Sequence, residues 1–273
     1  MTLVQSILAV LSGGIVGLSL GLLGGGGSIL AIPLLLYVVG LKDPHVVIGT
    51  TALAVSVNSY VNLIAHWRAG HVKWKAAIGF SIPGILGAVV GSYFGRRLHG
   101  SMLLFLFAFL MLIIAAMVLK SARQMVRAQA AGGDVEAGTP HQSHDLKPHW
   151  PKVGGSGFLV GALSGFFGIG GGFLIVPALV FSADMTFITA IGTSLFAVGT
   201  FGLTTAVTYA LSGLINFLAF AEYVAGGALG GIIGARLATR MSQKRASLNY
   251  LFTAVLIVVA VYMLYKNALM LHL

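Results

Sequence analysis

The stretch Gly21-Leu-Leu-Gly-Gly-Gly-Gly-Ser-Ile-Leu-Ala-Ile-Pro33 places four consecutive glycines inside a run that is otherwise apolar. A glycine in a helix interior is less favourable than an alanine by about 1 kcal/mol, so four in a row predict a break in a helix. The rest of the chain indicates what kind of helix is broken.

The composition is that of a membrane protein with several spans. The chain has 273 residues, of which 58% are hydrophobic and 8% are charged, and its mean hydropathy is +0.97. So few polar side chains do not cover a water-soluble globule. The net charge of +10 lies in short loops between apolar segments. This pattern orients a protein in a membrane and argues against a nucleic-acid partner.

The apolar segments form two sets of five, one on each side of a polar stretch. We therefore divide the chain into a first transmembrane repeat at 1–120, a polar cytoplasmic linker at 121–153 and a second transmembrane repeat at 154–273. The predicted segments lie at about 5–23, 28–41, 46–65, 76–95, 102–119, 157–168, 173–181, 187–211, 217–235 and 248–265.

The two sets also match residue by residue. The opening stretch aligns with Gly165-Phe-Phe-Gly-Ile-Gly-Gly-Gly-Phe-Leu-Ile-Val-Pro177, and the two share glycine, leucine and proline at equivalent places. Further along, IGTTAL at Ile48 aligns with IGTSLF at Ile191, and PGILGAVVG at Pro83 aligns with GGALGGIIG at Gly226. The chain is therefore an internal duplication.

The distribution of basic residues predicts the relative orientation of the halves. If the chain turns back at the glycines, each half crosses an odd number of times and the halves are inverted. With the linker cytoplasmic, inversion places 12 basic residues inside and four outside, whereas parallel halves give nine and seven. The positive-inside rule favours inversion, with both termini outside. The four outside residues are Lys42, Arg96, Arg97 and Lys266, of which Arg96 and Arg97 stay unexplained.

The glycine breaks predict an anion site. The segments 28–41 and 173–181 are shorter than the roughly 20 residues that cross a bilayer, so we expect half-helices. The start of a helix presents unpaired N–H groups and a partial positive charge, and glycine lets an anion approach the backbone. We expect Ser28 to add a hydroxyl or cap the new helix. The predicted site residues of the breaks are Gly24, Gly25, Gly26, Gly27, Ser28, Gly168, Gly170, Gly171 and Gly172.

Polar residues in the following segment of each half extend the predicted site. Asn58 and Asn62 lie one turn apart and are costly to leave in lipid. Hydroxyl groups also suit an anion, although Ser and Thr often bond the carbonyls of their own helix. We add Asn58, Asn62, Thr50, Thr51, Thr193 and Ser194 to the substrate-binding candidates. For the spaced pairs Gly87 with Gly91 and Gly230 with Gly234, we expect helix packing.

No Asp, Glu, Lys or Arg lies near the middle of an apolar segment, which argues against a pathway lined by carboxylates. Asp184, Glu222 and His66 lie at segment ends, so coupling to a proton or a sodium ion stays open. We expect no cofactor and no metal, because the linker histidines His141, His144 and His149 are typical of a solvated segment. The sequence leaves the oligomeric state open.

On the paired blocks GLLGGGGSILAIPLL and GFFGIGGGFLIVPAL, each followed by IGTT or IGTS, the chain resembles the sulfite exporter TauE/SafE family, also called the toluene sulfonate uptake permease family. The resemblance implies a multi-pass carrier of the bacterial inner membrane that moves sulfite, thiosulfate or organosulfonates. It also implies that Gly24–Ser28 and Gly168–Gly172 form the site. Ile169 interrupts the second glycine run, so the halves need not contribute equally.

Two other functions are compatible with the sequence. A passive anion channel would employ the same helix ends as a carrier, because channels also occur with inverted halves. An intramembrane protease would use Ser156 of the GGSG stretch with a histidine such as His66, but such short motifs are common in a glycine-rich chain. We predict an all-α polytopic transporter, not an enzyme, with each half built from a glycine-broken hairpin and three transmembrane helices.

Overall fold

A computed structural model describes residues 2–130, 150–183, 185–240 and 245–270, and every regular element in those ranges is helical. The first half contains α1 Leu3–Leu23, a 3-10 helix Gly24–Leu30, α2 Ala31–Pro33, a π-helix Leu34–Val38, α3 Pro44–Arg68, α4 Trp74–Arg97 and α5 Gly100–Ala130. The second contains α6 Trp150–Phe167, α7 Gly172–Ala183, α8 Phe187–Ala210, α9 Phe217–Arg240 and α10 Arg245–Met270.

Six helices in the described ranges are long and apolar enough to cross a membrane. They belong to α1, α3, α4, α5, α8 and α9. The shorter apolar helices Gly27–Val38 and Leu174–Ala183 follow the two glycine blocks. The prediction of an all-α membrane protein with several spans is therefore confirmed.

The helices extend into the predicted linker from both sides. α5 continues to Ala130, and α6 already begins at Trp150. The added turns of α5 contain Ala, Arg, Gln and Met, which are strong helix formers. The arginines and glutamines make this part of the sequence polar. The linker histidines His141, His144 and His149 lie outside the described residues.

The described helices form two compact units. One unit contains α1–α4 and α6–α9, and the other contains α5 and α10. Each unit combines equivalent helices from both halves, and within the second unit α5 packs against α10.

Small residues join the first and fourth helices of opposite halves. α4 packs against α6, and α1 packs against α9, with glycines of one helix touching the backbone of the other. Gly87 lies against Phe158, Gly91 against Ala162, Gly230 against Gly14 and Gly234 against Leu18. The prediction that these glycines serve helix packing is confirmed. The residue numbers rise together along both pairs, so each pair runs parallel.

The third helices of the two halves pack together with opposite directions. Gly49 near the start of α3 lies against Tyr209 at the end of α8, and Gly192 near the start of α8 lies against His66 at the end of α3. Between them, Ser56 Oγ donates to the carbonyl of Gly199 at 2.7 Å. α3 and α8 thus form an antiparallel pair in which each half supplies one member.

Candidate functional site

The first glycine block folds into a tight, irregular segment. Gly24–Leu30 winds as a 3-10 helix of 7 residues, which is longer than the three or four that are usual for this winding. A single α-helical turn follows, and then the π-helix Leu34–Val38. Unusual winding of this kind often marks functional positions in helices. The predicted half-helix is therefore present, but it is not a regular α-helix.

The chain folds back on α1 at this block. A Cβ on Gly27 would lie 2.6 Å from Leu20 N and 2.5 Å from Ser19 Cβ. In a continuous α-helix, residues this far apart in sequence would be separated by roughly 10 Å along the axis. Ser28 is fully buried within the 3-10 segment, and the N-cap of α2 is Leu30. The N-cap position of α2 is therefore Leu30 and not Ser28, because 3-10 winding continues past Ser28.

The second glycine block uses left-handed backbone. Gly168, Gly170 and Gly171 have φ values of 69°, 69° and 65°, a region that favours glycine. α7 begins immediately afterwards at Gly172, so the N–H groups of Gly172 and Phe173 precede the first hydrogen bonds within that helix. This end of α7 therefore has the polarity that the sequence predicts for an anion site.

The second block also folds back on the helix before it. A Cβ on Gly171 would lie 2.8 Å from Ser164 Cβ and 3.5 Å from Val160 Cγ1 in α6. Its backbone is held at both ends, because Gly168 N–H donates to Ser164 O at 2.8 Å and Leu174 N–H donates to Gly171 O at 2.9 Å.

The first glycine block packs on the helix that follows the second block, and the second block itself lies against α3 and α8. The 3-10 helix of the first block packs against α7 of the second block and also contacts α8. A Cβ on Gly170 would lie 3.0 Å from Val198 Cγ1 and 3.4 Å from Val55 Cγ1. Val55 and Val198 are equivalent residues of the aligned halves. Gly170 thus reaches the point where the two halves contact each other through matching positions.

Thr50 and Thr193 form hydrogen bonds that join the two halves. Thr50 Oγ1 accepts from Asn216 N–H at 2.9 Å, and Thr193 Oγ1 accepts from Lys73 N–H at 3.1 Å. The two hydrogen bonds connect equivalent places in the two halves. Each hydroxyl holds the loop that follows the third helix of the other half.

Thr51 and Ser194 follow the pattern that is usual for hydroxyls in helices. Thr51 Oγ1 donates to Val47 O at 2.8 Å, and Ser194 Oγ donates to Ile191 O at 2.8 Å. Both side chains are fully buried. Their donors are directed to the carbonyls of their own helices.

Asn58 is the predicted polar residue with the least satisfied environment. Its side chain is fully buried beside Gly227 of α9, and neither Oδ1 nor Nδ2 has a hydrogen-bond partner among the described residues. Asn62 lies beside Gly231, and its Nδ2 donates to Asn58 O at 2.8 Å. Asn58 is one turn from Val55, so it shares the face of α3 that touches the second break.

Two further serines lie near the breaks, and neither was among the predicted site residues. Ser164 Oγ is buried without a hydrogen-bond partner in the described structure, next to Gly171. Ser59 Oγ is likewise buried and unpartnered, one turn beyond Val55. The sequence shows Ser164 as one hydroxyl in an apolar segment, and only the reversal of the chain brings it to the glycines.

His66 and Glu222 are the titratable candidates at segment ends that the structure describes. His66 is buried in the last turn of α3, with its ring centroid 6.2 Å from that of His71. Glu222 has one buried carboxylate oxygen with no partner among the described residues, and Asp184 lies outside them. Ser156 Oγ donates to Val153 O of its own helix at 3.1 Å. The described residues contain no group of three His, Cys, Asp or Glu side chains that could hold a metal.

Comparison with known proteins gives a consistent result. The family model described as "Sulfite exporter TauE/SafE" matches residues 9–263. A probable membrane transporter protein of Xylella fastidiosa (strain Temecula1) is 48% identical over 267 residues, which cover 98% of each chain. The probable membrane transporter protein YunE of Bacillus subtilis is 27% identical over 273 residues, covering 96% of this chain and 98% of its own. No solved structure gives a significant match. The names of these relatives indicate a membrane transporter rather than an enzyme.

Proposed function

The chain belongs to the sulfite exporter TauE/SafE family, and from that premise we propose that it is a secondary transporter for a small sulfur-containing anion. Sulfite, thiosulfate and organosulfonates form the substrate class, and the bacterial inner membrane is the site of action. The observation that carries the proposal is that the 3-10 helix of the first break packs against α7, the helix that follows the second break, while Gly170 of the second break lies between Val55 and Val198. A broken backbone in a membrane is tolerated only where protein or water surrounds it, so the blocks line a buried site.

The anion is bound by neutral donors in this proposal. The first N–H groups of α7 supply the helix-end polarity, and Asn58, Ser59 and Ser164 supply side-chain groups that lack partners among the described residues. Leaving a polar group buried and unpaired costs about 1–3 kcal/mol, and a bound anion removes that cost for the donors it contacts. Neutral donors also suit a transporter, because the anion must leave again.

The directions of the helices support inverted halves. α1 runs parallel to α9, and α9 runs parallel to α3, because Asn58 and Asn62 lie against Gly227 and Gly231. α6 runs parallel to α4. Along α4, Trp74 contacts Phe196 of α8 and Arg96 contacts Ser212 just after the end of α8, so the contacts are in rising order. Since α3 and α8 are antiparallel, α1 and α3 of the first half run in the direction opposite to α6 and α8 of the second half. Inverted halves around a central site favour alternating access.

The experiment measures uptake of radiolabelled thiosulfate and sulfite into proteoliposomes that contain the purified chain. We expect saturable uptake and counterflow exchange, which a passive channel does not give. Imposed proton and sodium gradients in the same vesicles identify the driving ion. If none of the tested sulfur anions binds or crosses, the proposed substrate class is wrong.

Asn58→Ala tests the site within the same assay. The change removes the buried unpaired amide and adds no bulk beside Gly227, so we expect the protein to fold while anion affinity decreases about 10- to 100-fold. Thr204→Val is the matched control, because the Thr204 hydroxyl donates to Thr200 O of its own helix. Equal affinity in the two variants would remove Asn58 from the site.

A further inference from the structure

Two adjacent arginines at the end of α4 have different surroundings. Arg97 is exposed, and its guanidinium donates to Tyr93 of the same helix and lies over that ring. Arg96 instead reaches the end of α8, where its Cζ lies 5.9 Å from the centre of the Tyr209 ring, and its Nη1 donates to Ser212 Oγ of the following turn at 2.6 Å. The positive-inside pattern explains neither charge, but only Arg96 contacts another helix.

Arg96 is part of a cluster with three unpartnered polar atoms. Arg96 Nε, the Tyr209 hydroxyl and His45 Nδ1 are all buried, and none has a hydrogen-bond partner within the described part of the chain. Tyr209 connects Arg96 with His45, because Tyr209 is fully buried and its ring centroid lies 6.3 Å from that of His45. Two of the three atoms are hydrogen-bond donors, and one carries a permanent positive charge.

Asp43, the acidic residue nearest to His45 in sequence, is the cap of α3 and not an ion-pair partner of Arg96. Asp43 Oδ1 accepts from the N–H groups of His45 and Val46, at 2.8 Å and 3.3 Å, and so caps α3. Arg96 forms no ion pair with any residue that the structure describes. A guanidinium with an unused donor beside an unused phenol hydroxyl is a favourable environment for a small oxyanion.

The cluster adjoins the second glycine block. Tyr209 packs on Gly49 of α3, and the neighbouring Ile48 packs on Gly168. His45 lies one turn before both residues on the same helix. An anion that leaves the glycine block at this end of α3 therefore meets the cluster next.

We propose that Arg96, Tyr209 and His45 form a second, entrance site that captures the sulfur oxyanion before it reaches the glycine blocks. The site rests on the proposed function, because it serves the same substrate. Arg96 Nε and the Tyr209 hydroxyl donate to two oxygens of the anion, and Ser212 holds the guanidinium in position. The site also accounts for a positive charge at the end of α4.

The test compares Arg96→Gln with Arg97→Gln in the proteoliposome assay. Both variants remove one positive charge at neighbouring positions, so they change the long-range potential almost equally. We expect Arg96→Gln to raise the KM for thiosulfate about tenfold or more and Arg97→Gln to change it less than about twofold. Tyr209→Phe, which removes only the hydroxyl, raises the KM several-fold without loss of folded protein.

Ser212→Ala separates anion capture from a structural contact. It removes the Arg96–Ser212 hydrogen bond and keeps the charge, so we expect it to change the KM far less than Arg96→Gln. Equal KM values for Arg96→Gln and Arg97→Gln, or an unchanged KM in folded Tyr209→Phe, overturn the entrance site alone. A wild-type protein that transports no sulfur anion overturns the proposed function and the entrance site together.

Discussion

The two glycine blocks have similar sequences and different backbones. The first contains four adjacent glycines and winds as a 3-10 helix that leads into a single α-helical turn. The second is interrupted by Ile169 and contains three left-handed glycines before the regular helix α7. The second block, which Ile169 interrupts, thus leads directly into the regular helix α7.

The difference shows that glycine has a separate role in each block. Gly27 is required for space, because the chain lies directly on the backbone of α1. Gly170 is required for conformation, because its φ of 69° is costly for any residue with a side chain. A shared motif therefore does not imply a shared geometry, and substitutions can separate the two roles.

The largest effect is expected for Gly27→Ala. The new Cβ would lie 2.6 Å from Leu20 N, which is part of a helix and cannot move independently. Overpacking of this kind costs about 3 kcal/mol, and we expect a clear decrease in the thermal unfolding midpoint in detergent. Gly155→Ala is the control, because a Cβ at Gly155 meets nothing within 4 Å in α6. A Gly27→Ala protein as stable as the control would show that the first block does not require close approach.

A smaller effect is expected for Gly170→Ala. The variant introduces left-handed strain of roughly 1–2 kcal/mol and places a methyl group against Val55 and Val198. Gly70→Ala is matched in backbone, because Gly70 also has a positive φ, of 75°, but has nothing within 4 Å of its Cβ position. We expect similar losses of stability and a much greater loss of transport in Gly170→Ala. Equal transport in the two variants would place the anion elsewhere.

Much of the fold can be predicted from local sequence. Gly87 with Gly91 and Gly230 with Gly234 predict helix packing because the spacing of small residues along one helix is itself the packing surface. The hydropathy pattern, in contrast, indicates where the chain is apolar enough to span a membrane and not where a helix ends. The predicted fifth segment therefore ends near 119, whereas helix-forming polar residues extend α5 to Ala130.

The candidate site was less predictable because its contacts are distant in sequence. Thr50 and Thr51 are neighbours with the same hydroxyl, yet one bonds Asn216 and the other bonds its own helix. The group that each hydroxyl bonds depends on what lies opposite its face of α3. Ser164 and Tyr209 gain their importance in the same way, from a chain reversal and from a residue of the other half.

The smallest effect is expected for Thr50→Val and Thr193→Val, which test whether the halves are equivalent outside the glycine blocks. Each variant keeps the side-chain shape and leaves one backbone N–H, of Asn216 or Lys73, without its acceptor. We expect each to lower stability by about 1 kcal/mol and to accelerate hydrogen exchange at the loop it releases, with anion affinity unchanged. Both threonines were predicted as anion ligands from the sequence. Reduced affinity at unchanged stability would therefore favour the sequence prediction over the structural role. Similar losses of stability in both variants, with anion affinity unchanged, would show that the two halves are equivalent at these threonines and differ mainly in their glycine blocks.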